Sequence, residues 1–193
     1  MVEGKSTNVY KIIKCLCDSD PKVMHALLEK LAESIALYCD YQIEAGAQAI
    51  QIFDSWGGQL PPAMWDEFSK PYIKHIVNHV KQKHPNVPVT LYANGSGGLL
   101  ERMKETGVDV MGLDWTLDMA DARGRLGDEI SVQGNVDPAK LFSSKEGISK
   151  AIDDCIEKAG TKGHVLNLGH GVMVGTPEEN VAHFFEYNRS KFY

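Results

Sequence analysis

Val89-Thr90-Leu91-Tyr92 is followed by Ala93-Asn94-Gly95-Ser96-Gly97-Gly98, then by a helical pattern from Leu99 to Thr106, then by a second β-rich run from Val108 to Leu113 that ends in Asp114-Trp115. The stretch reads as strand, polar glycine-rich turn, helix, strand. A helical crossover of this kind joins parallel strands rather than antiparallel ones. Three more β-rich runs, Ile50 to Phe53, Ile130 to Gln133 and His164 to Leu168, repeat the pattern on either side. Helical patterns lie near Pro62 to His84, Met119 to Leu126, Ser144 to Ala159 and Pro177 to Lys191. The order is βαβα, which implies a parallel sheet with helices packed on it. Ahead of the first strand, Asn8 to about Glu44 is helical in pattern, broken at Asp18-Ser19-Asp20-Pro21. Pro21 suits a first helical turn, where its missing N–H costs nothing.

Each run closes on polar or glycine-rich residues: Asp54-Ser55-Trp56-Gly57-Gly58, Asn94-Gly95-Ser96-Gly97-Gly98, Asp114-Trp115, Gly134-Asn135-Val136-Asp137-Pro138 and Gly169-His170-Gly171. Binding residues gather at C-terminal strand ends in both barrels and doubly wound sheets. Here they follow every strand instead of clustering at one switch point, which favours the barrel. The expected fold is therefore α/β, a TIM-type (β/α)8 barrel, present as an incomplete C-terminal portion with about five parallel strands and surrounding helices. Five strands cannot close a barrel, and their open edges call for further sequence on the N-terminal side. Residues 1–193 read as one domain, with no internal repeat, low-complexity tract or linker-like shift in composition.

Composition narrows the function classes. The 193 residues are 43% hydrophobic with a mean hydropathy of -0.25, enough to bury a core. No apolar run is long enough to cross a bilayer, and no signal-peptide pattern opens the chain. A net charge of -6, with no basic block, gives no support to a nucleic-acid or membrane-surface role. Cys15, Cys17, Cys39 and Cys155 are too few and too irregularly spaced for a disulfide framework and read as free thiols. A small-molecule ligand is the expectation.

Among single residues, His170 stands out because the flanking Gly169 and Gly171 let a ligand approach the backbone closely. Ser55 reads either as a ligand contact or as a cap for the following turn, and Phe53 as a ligand contact or a core residue. Asp54, Asp114 and Asp137 read as loop-fixing side chains that accept backbone N–H groups. Gly95-Ser96-Gly97-Gly98 lacks the lysine of a phosphate loop and reads as a flexible turn. Trp56, Trp65 and Trp115 read as packing residues, Trp115 being the best placed to line a pocket. His75 and His79 have the spacing of helical zinc ligands but lie towards the solvent flank of an amphipathic helix. Cys15 and Cys17 point to nearly opposite sides of a helix.

Several blocks in order resemble the uroporphyrinogen decarboxylase family. They are Met1-Val2-Glu3-Gly4, Gly46-Ala47-Gln48-Ala49-Ile50-Gln51-Ile52-Phe53-Asp54-Ser55, Gly112-Leu113-Asp114-Trp115, Gln133-Gly134-Asn135-Val136-Asp137-Pro138 and Asn167-Leu168-Gly169-His170-Gly171. The wording of Trp115-Thr116-Leu117-Asp118-Met119-Ala120 is most like plant or cyanobacterial members. The resemblance implies decarboxylation of the four acetate side chains of uroporphyrinogen III to give coproporphyrinogen III. It implies no metal and no organic cofactor, a tetrapyrrole substrate, a homodimer, and a chloroplast location in a plant or a cytoplasmic one otherwise. Carried over from the family, Ser55 and His170 match positions that contact the macrocycle or its carboxylates, and Phe53 matches an apolar contact beneath it.

The family's essential aspartate has no counterpart here, and the tyrosine of its signature would stand just before Met1. No catalytic residue is therefore expected in this chain, and activity is expected to need an N-terminal half. The four arginines, Arg102, Arg123, Arg125 and Arg189, fall on helical patterns rather than strand-end loops, so cations for an eight-carboxylate substrate should come largely from elsewhere. Two other readings stand beside this one. The first is an inactive truncated paralogue or fragment. The second is a related barrel methyltransferase, which would hold zinc with a histidine and two cysteines on strand-end loops, where this sequence has no cysteine.

Overall fold

Five parallel strands, β1 (Ile50–Phe53), β2 (Val89–Tyr92), β3 (Val110–Gly112), β4 (Ser131–Val136) and β5 (His164–Leu168), lie side by side in the order in which the chain makes them. The computed structural model describes residues 2–4 and 10–192. Met1, Asn8 and Val9, which entered the sequence reading, lie outside the described residues. Sequential order without reversal is that of a barrel arc. A doubly wound sheet would step back past its first strand at the switch point.

The sheet is also curled. Gln133 on β4 donates through Nε2 to Gln51 Oε1 on β1 at 3.0 Å, although the two strands are three sheet positions apart. Three spacings on a flat sheet amount to about 14 Å. The Tyr92 hydroxyl at the end of β2 makes a similar crossing to the carbonyl of Gly169 beyond β5, at 2.9 Å. Both bonds run across the concave face, as side chains do inside a barrel.

Helices cover the convex face. α1 (Lys11–Ser19) and α2 (Pro21–Glu44) precede β1, and Pro21 does open α2. The expected helix from Pro62 to His84 is divided into α3 (Pro62–Phe68) and α4 (Lys70–Lys83) at Ser69. Pro71 has no N–H with which to continue the first helix and serves instead in the first turn of the second. α5 (Leu100–Lys104), α6 (Met119–Leu126), α7 (Lys145–Ala159) and α8 (Glu178–Phe192) complete the layer, with short 3-10 turns at Gly57–Gln59, Ser96–Gly98 and Pro138–Phe142.

Strand parity sorts the side chains. Val89 and Leu91, Met111, and Val132 meet Val77, Val80, Leu100, Met103, Ile148 and Ile152 in one buried cluster between sheet and helices. The alternate residues face the concave side, where Phe53 is 66% and Val165 50% exposed. In a closed barrel that side is filled. Among the described residues neither β1 nor β5 has a strand on its outer edge.

α2 is tied to α4 by a buried carboxylate. Asp40 accepts from His79 Nε2 at 2.8 Å and from Lys83 Nζ at 2.5 Å, with His84 Nε2 at 3.3 Å. Burial pushes the Asp40 carboxyl up, but the bonds from Lys83 and His79 outweigh it and hold the group below its ordinary range. His79 therefore faces α2 rather than the solvent flank, while His75 is exposed as expected.

β4 is longer than the sequence suggests. Gly134, Asn135 and Val136 pair with Leu166, Asn167 and Leu168 of β5 instead of forming a loop. Gly134 is needed because a Cβ there would lie 2.7 Å from the Leu113 carbonyl oxygen. With φ at 128°, that residue also lies where L side chains are strained. Leu91 on β2 is wholly buried in this core, so Leu91→Ala should lower unfolding free energy by about 3 kcal/mol, read as a lower urea midpoint with unchanged slope.

Candidate ligand-binding cleft at the strand ends

Side chains at the C-terminal ends of the strands hold the loops to one another. Asp54, one residue past β1, accepts from Trp65 Nε1 at 2.8 Å and from the Ser69 hydroxyl at 2.9 Å, which pins α3 and the start of α4 to the strand end. Burial pushes its carboxyl above the ordinary range against those two bonds. Asp114, fully buried after β3, accepts from the backbone N–H groups of Gly95 and Ser96 in the preceding loop. It also accepts from the N–H of Thr116 at 2.7 Å and its hydroxyl at 2.5 Å. Asn135 donates from Nδ2 to the carbonyls of Asp114 and Leu117, at 2.9 and 2.7 Å. Asp137 accepts from the N–H of Ala139 at 2.8 Å. The three aspartates thus fix loops, as their position suggested.

The glycine-rich turn is not free to hold a phosphate. Its leading N–H groups, on Gly95 and Ser96, already bond to Asp114. Its neighbour presses against it, since a Cβ on Gly58 would overlap the Asn94 carbonyl. Gly169 is packed in the same way beneath the next loop: a Cβ there would fall on the Trp115 backbone, and its N–H donates to Val136 O at 2.8 Å.

These ties bring Phe53, Ser55 and His170 to one cleft on the concave face, with a volume of ≈ 420 Å³. Gln51, Tyr92, Gln133 and Asn167 also line it. Phe53 is not a core residue, because its parity on β1 directs it inward. Sequence reading passed over the other four. The signal was present as parity: Gln51 and Phe53 stand two apart on one strand, and Gln133 and Asn167 are amides inside otherwise apolar runs.

Trp115 does not line this cleft, and it and Trp56 are 45% and 53% exposed, whereas Trp65 is wholly buried. Their places follow from the loops, since Trp115 sits above Gly169 and Trp56 packs on Tyr10 with ring centroids 5.6 Å apart.

Tyr92 is the least exposed aromatic of the cleft, at 7%. Its hydroxyl lies 2.9 Å from both the Gly169 carbonyl and His170 Nδ1, and the Tyr92 and His170 rings are stacked at 6.0 Å. Burial, with Asp114 adding to it, pushes the phenol up to about 12.

Three of the four arginines serve the scaffold. Arg102 pairs with Asp66 and Arg125 with Glu101, while Arg123 donates to the carbonyls of Ile130, Ala159, Lys162 and Gly163. Among the described residues the cleft lining contains no lysine, arginine, aspartate or glutamate. A second hollow of ≈ 480 Å³ lies between the 3-10 turn at Pro138–Phe142 and α6 and α7. Its Lys158 is already paired with Asp118 and Asp154, at 3.0 and 3.1 Å. Among the described residues no group of three or more His, Cys, Asp and Glu side chains is arranged to hold a metal ion.

A half-open parallel arc with a cleft at the C-terminal strand ends defines part of a (β/α) barrel. In agreement with it, a methyltransferase from Methanosarcina mazei superposes with a TM-score of 0.73 at 21% identity, over 84% of this chain and 48% of that one. That likeness bears on the fold. The family model for uroporphyrinogen decarboxylase (URO-D) matches residues 1–190, and the chain belongs to that family.

Uroporphyrinogen decarboxylase 1, chloroplastic, of Oryza sativa subsp. japonica is 61% identical over all 193 residues, which cover 48% of its length. Uroporphyrinogen decarboxylase of Synechocystis sp. is 55% identical over 185 residues, 96% of this chain and 53% of that protein. The chain spans about half the length of the curated relatives it matches.

Two outcomes follow from the site's construction. Replacing Asp114 by alanine leaves buried N–H groups without an acceptor, so unfolding free energy should fall by about 3 kcal/mol, seen by urea titration. The raised Tyr92 phenol stabilises the fold in full below the ordinary tyrosine range near 10, and the contribution is lost as pH climbs through about 12. Burial raises Tyr72 as well, and phenolate absorbance should therefore show a last step at about 12 that Tyr92→Phe removes.

Proposed function

We propose that this chain forms one wall of a uroporphyrinogen decarboxylase pocket and folds as a single unit over residues 1–193. In the reaction proposed for it, a pyrrole carbon is protonated, the ring takes up the electron pair as carbon dioxide leaves from the attached acetate, and the resulting exocyclic methylene takes a proton to become methyl while the ring carbon gives its proton back, a net uptake of one proton. The protein's tasks are to deliver a proton and to bind the polarised ring and its carboxylates. Phe53 offers an aromatic face to the macrocycle. Ser55 and His170 offer hydrogen bonds to carboxylates, and Gln51, Gln133 and Asn167 add neutral amides.

The observation that carries this reading is the common cleft on the concave surface that Phe53 and Ser55, at the end of β1, share with His170, which follows β5 at the other end of the sheet. The lack of lysine and arginine among the described residues that line it fits a wall that leaves most of the charge on an octacarboxylate to other parts of the barrel. Turnover is accordingly proposed to need the rest of the barrel, including the family's aspartate for the pyrrole N–H groups. A homodimer follows the family in the same way. So does a chloroplast location if the source is a plant, since relatives from rice and Arabidopsis thaliana are named chloroplastic. Among the described residues no helix is long and apolar enough to cross a membrane.

The test is to co-fold this chain with the N-terminal part of the rice relative and to measure coproporphyrinogen formed from uroporphyrinogen. The assembled pair should turn over, and His170→Ala should lower kcat/KM by about 10- to 100-fold, the range for a lost hydrogen bond to a charged group. A folded, complete assembly with no turnover would sink the reading.

A further inference from the structure

We infer that Tyr92 is a positioning residue that holds the imidazole of His170 with its proton on Nδ1, leaving Nε2 as the nitrogen open to the cleft. The argument is an inventory of protons. A phenol has one to give, and two acceptors lie within reach of it, the Gly169 carbonyl and His170 Nδ1, each at 2.9 Å. Gly169 is buried, and among the described residues its carbonyl has no other donor. A buried carbonyl deprived of its donor is costly. An imidazole at the cleft surface, by contrast, can take either tautomer. The phenol proton therefore goes to Gly169, and the phenol oxygen accepts from His170 Nδ1–H.

The surroundings keep this arrangement in place. Tyr92 is 7% exposed on the central part of the sheet, and burial maintains its phenol in the protonated form to about pH 12. Gly169 cannot shift, being packed under the Trp115 backbone and bonded to Val136. The stacked rings limit rotation of the imidazole.

Nε2 then presents a lone pair when the ring is neutral and a charged N–H donor when it is protonated, with no movement of the ring. Tyr92 is in direct contact with His170 and itself feels the Asp114 carboxylate, and among the described residues the cleft lining adds no lysine, arginine, aspartate or glutamate. The inference deepens the decarboxylase reading by describing how its carboxylate-binding histidine is set, but the tautomer can be measured without any tetrapyrrole.

The experiment is long-range proton–nitrogen correlation on the 193-residue chain labelled at histidine nitrogen, at a pH where the ring is neutral. His170→Gln identifies the signal among the seven histidines. The expected spectrum has a protonated, pyrrole-type Nδ1 and a bare, pyridine-type Nε2. Tyr92→Phe should move the ring to the Nε2–H form favoured by free imidazole. A wild-type ring protonated at Nε2 overturns the inference, as does a folded Tyr92→Phe chain that keeps Nδ1–H. If that variant does not fold, the wild-type spectrum decides alone. The expected tautomer in a chain that never supports turnover would overturn the decarboxylase reading and leave this one standing.

Discussion

The carboxylate of Asp114 is the point through which the strand-end loops are joined. A buried carboxylate needs donors on both oxygens, and it obtains them from two loops at once: Gly95 and Ser96 on one side and Thr116 on the other. The loop after β2 is thereby fixed to the loop after β3. Asn135 extends the chain of ties by taking the Asp114 and Leu117 carbonyls, and Gly169 extends it again by bonding to Val136. The result is a continuous polar seam along the C-terminal edge of the sheet. His170 and Tyr92 owe their relation to it, since one follows Gly169 and the other stands just before the loop that Asp114 holds.

Curvature is the second condition on the site. Phe53 and His170 lie at opposite ends of a five-strand sheet in sequence order, and on a flat sheet they would be separate surface residues. Because the arc curls, as the Gln51–Gln133 and Tyr92–Gly169 bonds show, both face one cleft. The same curl leaves apolar side chains such as Phe53 and Val165 in contact with solvent where a closed barrel would cover them. A surface of this kind is ordinarily covered by further protein or by a ligand.

Much of this was legible from local signals. The β-rich runs at Ile50 to Phe53, Val89 to Tyr92 and His164 to Leu168 coincide with β1, β2 and β5, because apolar β-branched runs between turn residues carry their own period. Where the reading missed, a contact outside the segment decided. Ser69 divides a helix because Pro71 follows it, β4 runs through Gly134 because β5 pairs with it, and His79 turns inward because Asp40 lies across from it. Tyr92 shows the limit most clearly: as the last residue of a β-rich run it looks like any core aromatic. Its hydroxyl partners are 77 and 78 residues away.

By itself, then, the sequence determined the element order, the parallel arrangement and the polar character of each strand end, all of which depend on residues within one or two turns of one another. The meeting of the Gln51 and Gln133 amides across the arc and the bond between Tyr92 and His170 were decided by tertiary structure alone. Their physical reason is the curl of the sheet, which sets distances between residues dozens of positions apart and which no local pattern of side chains encodes.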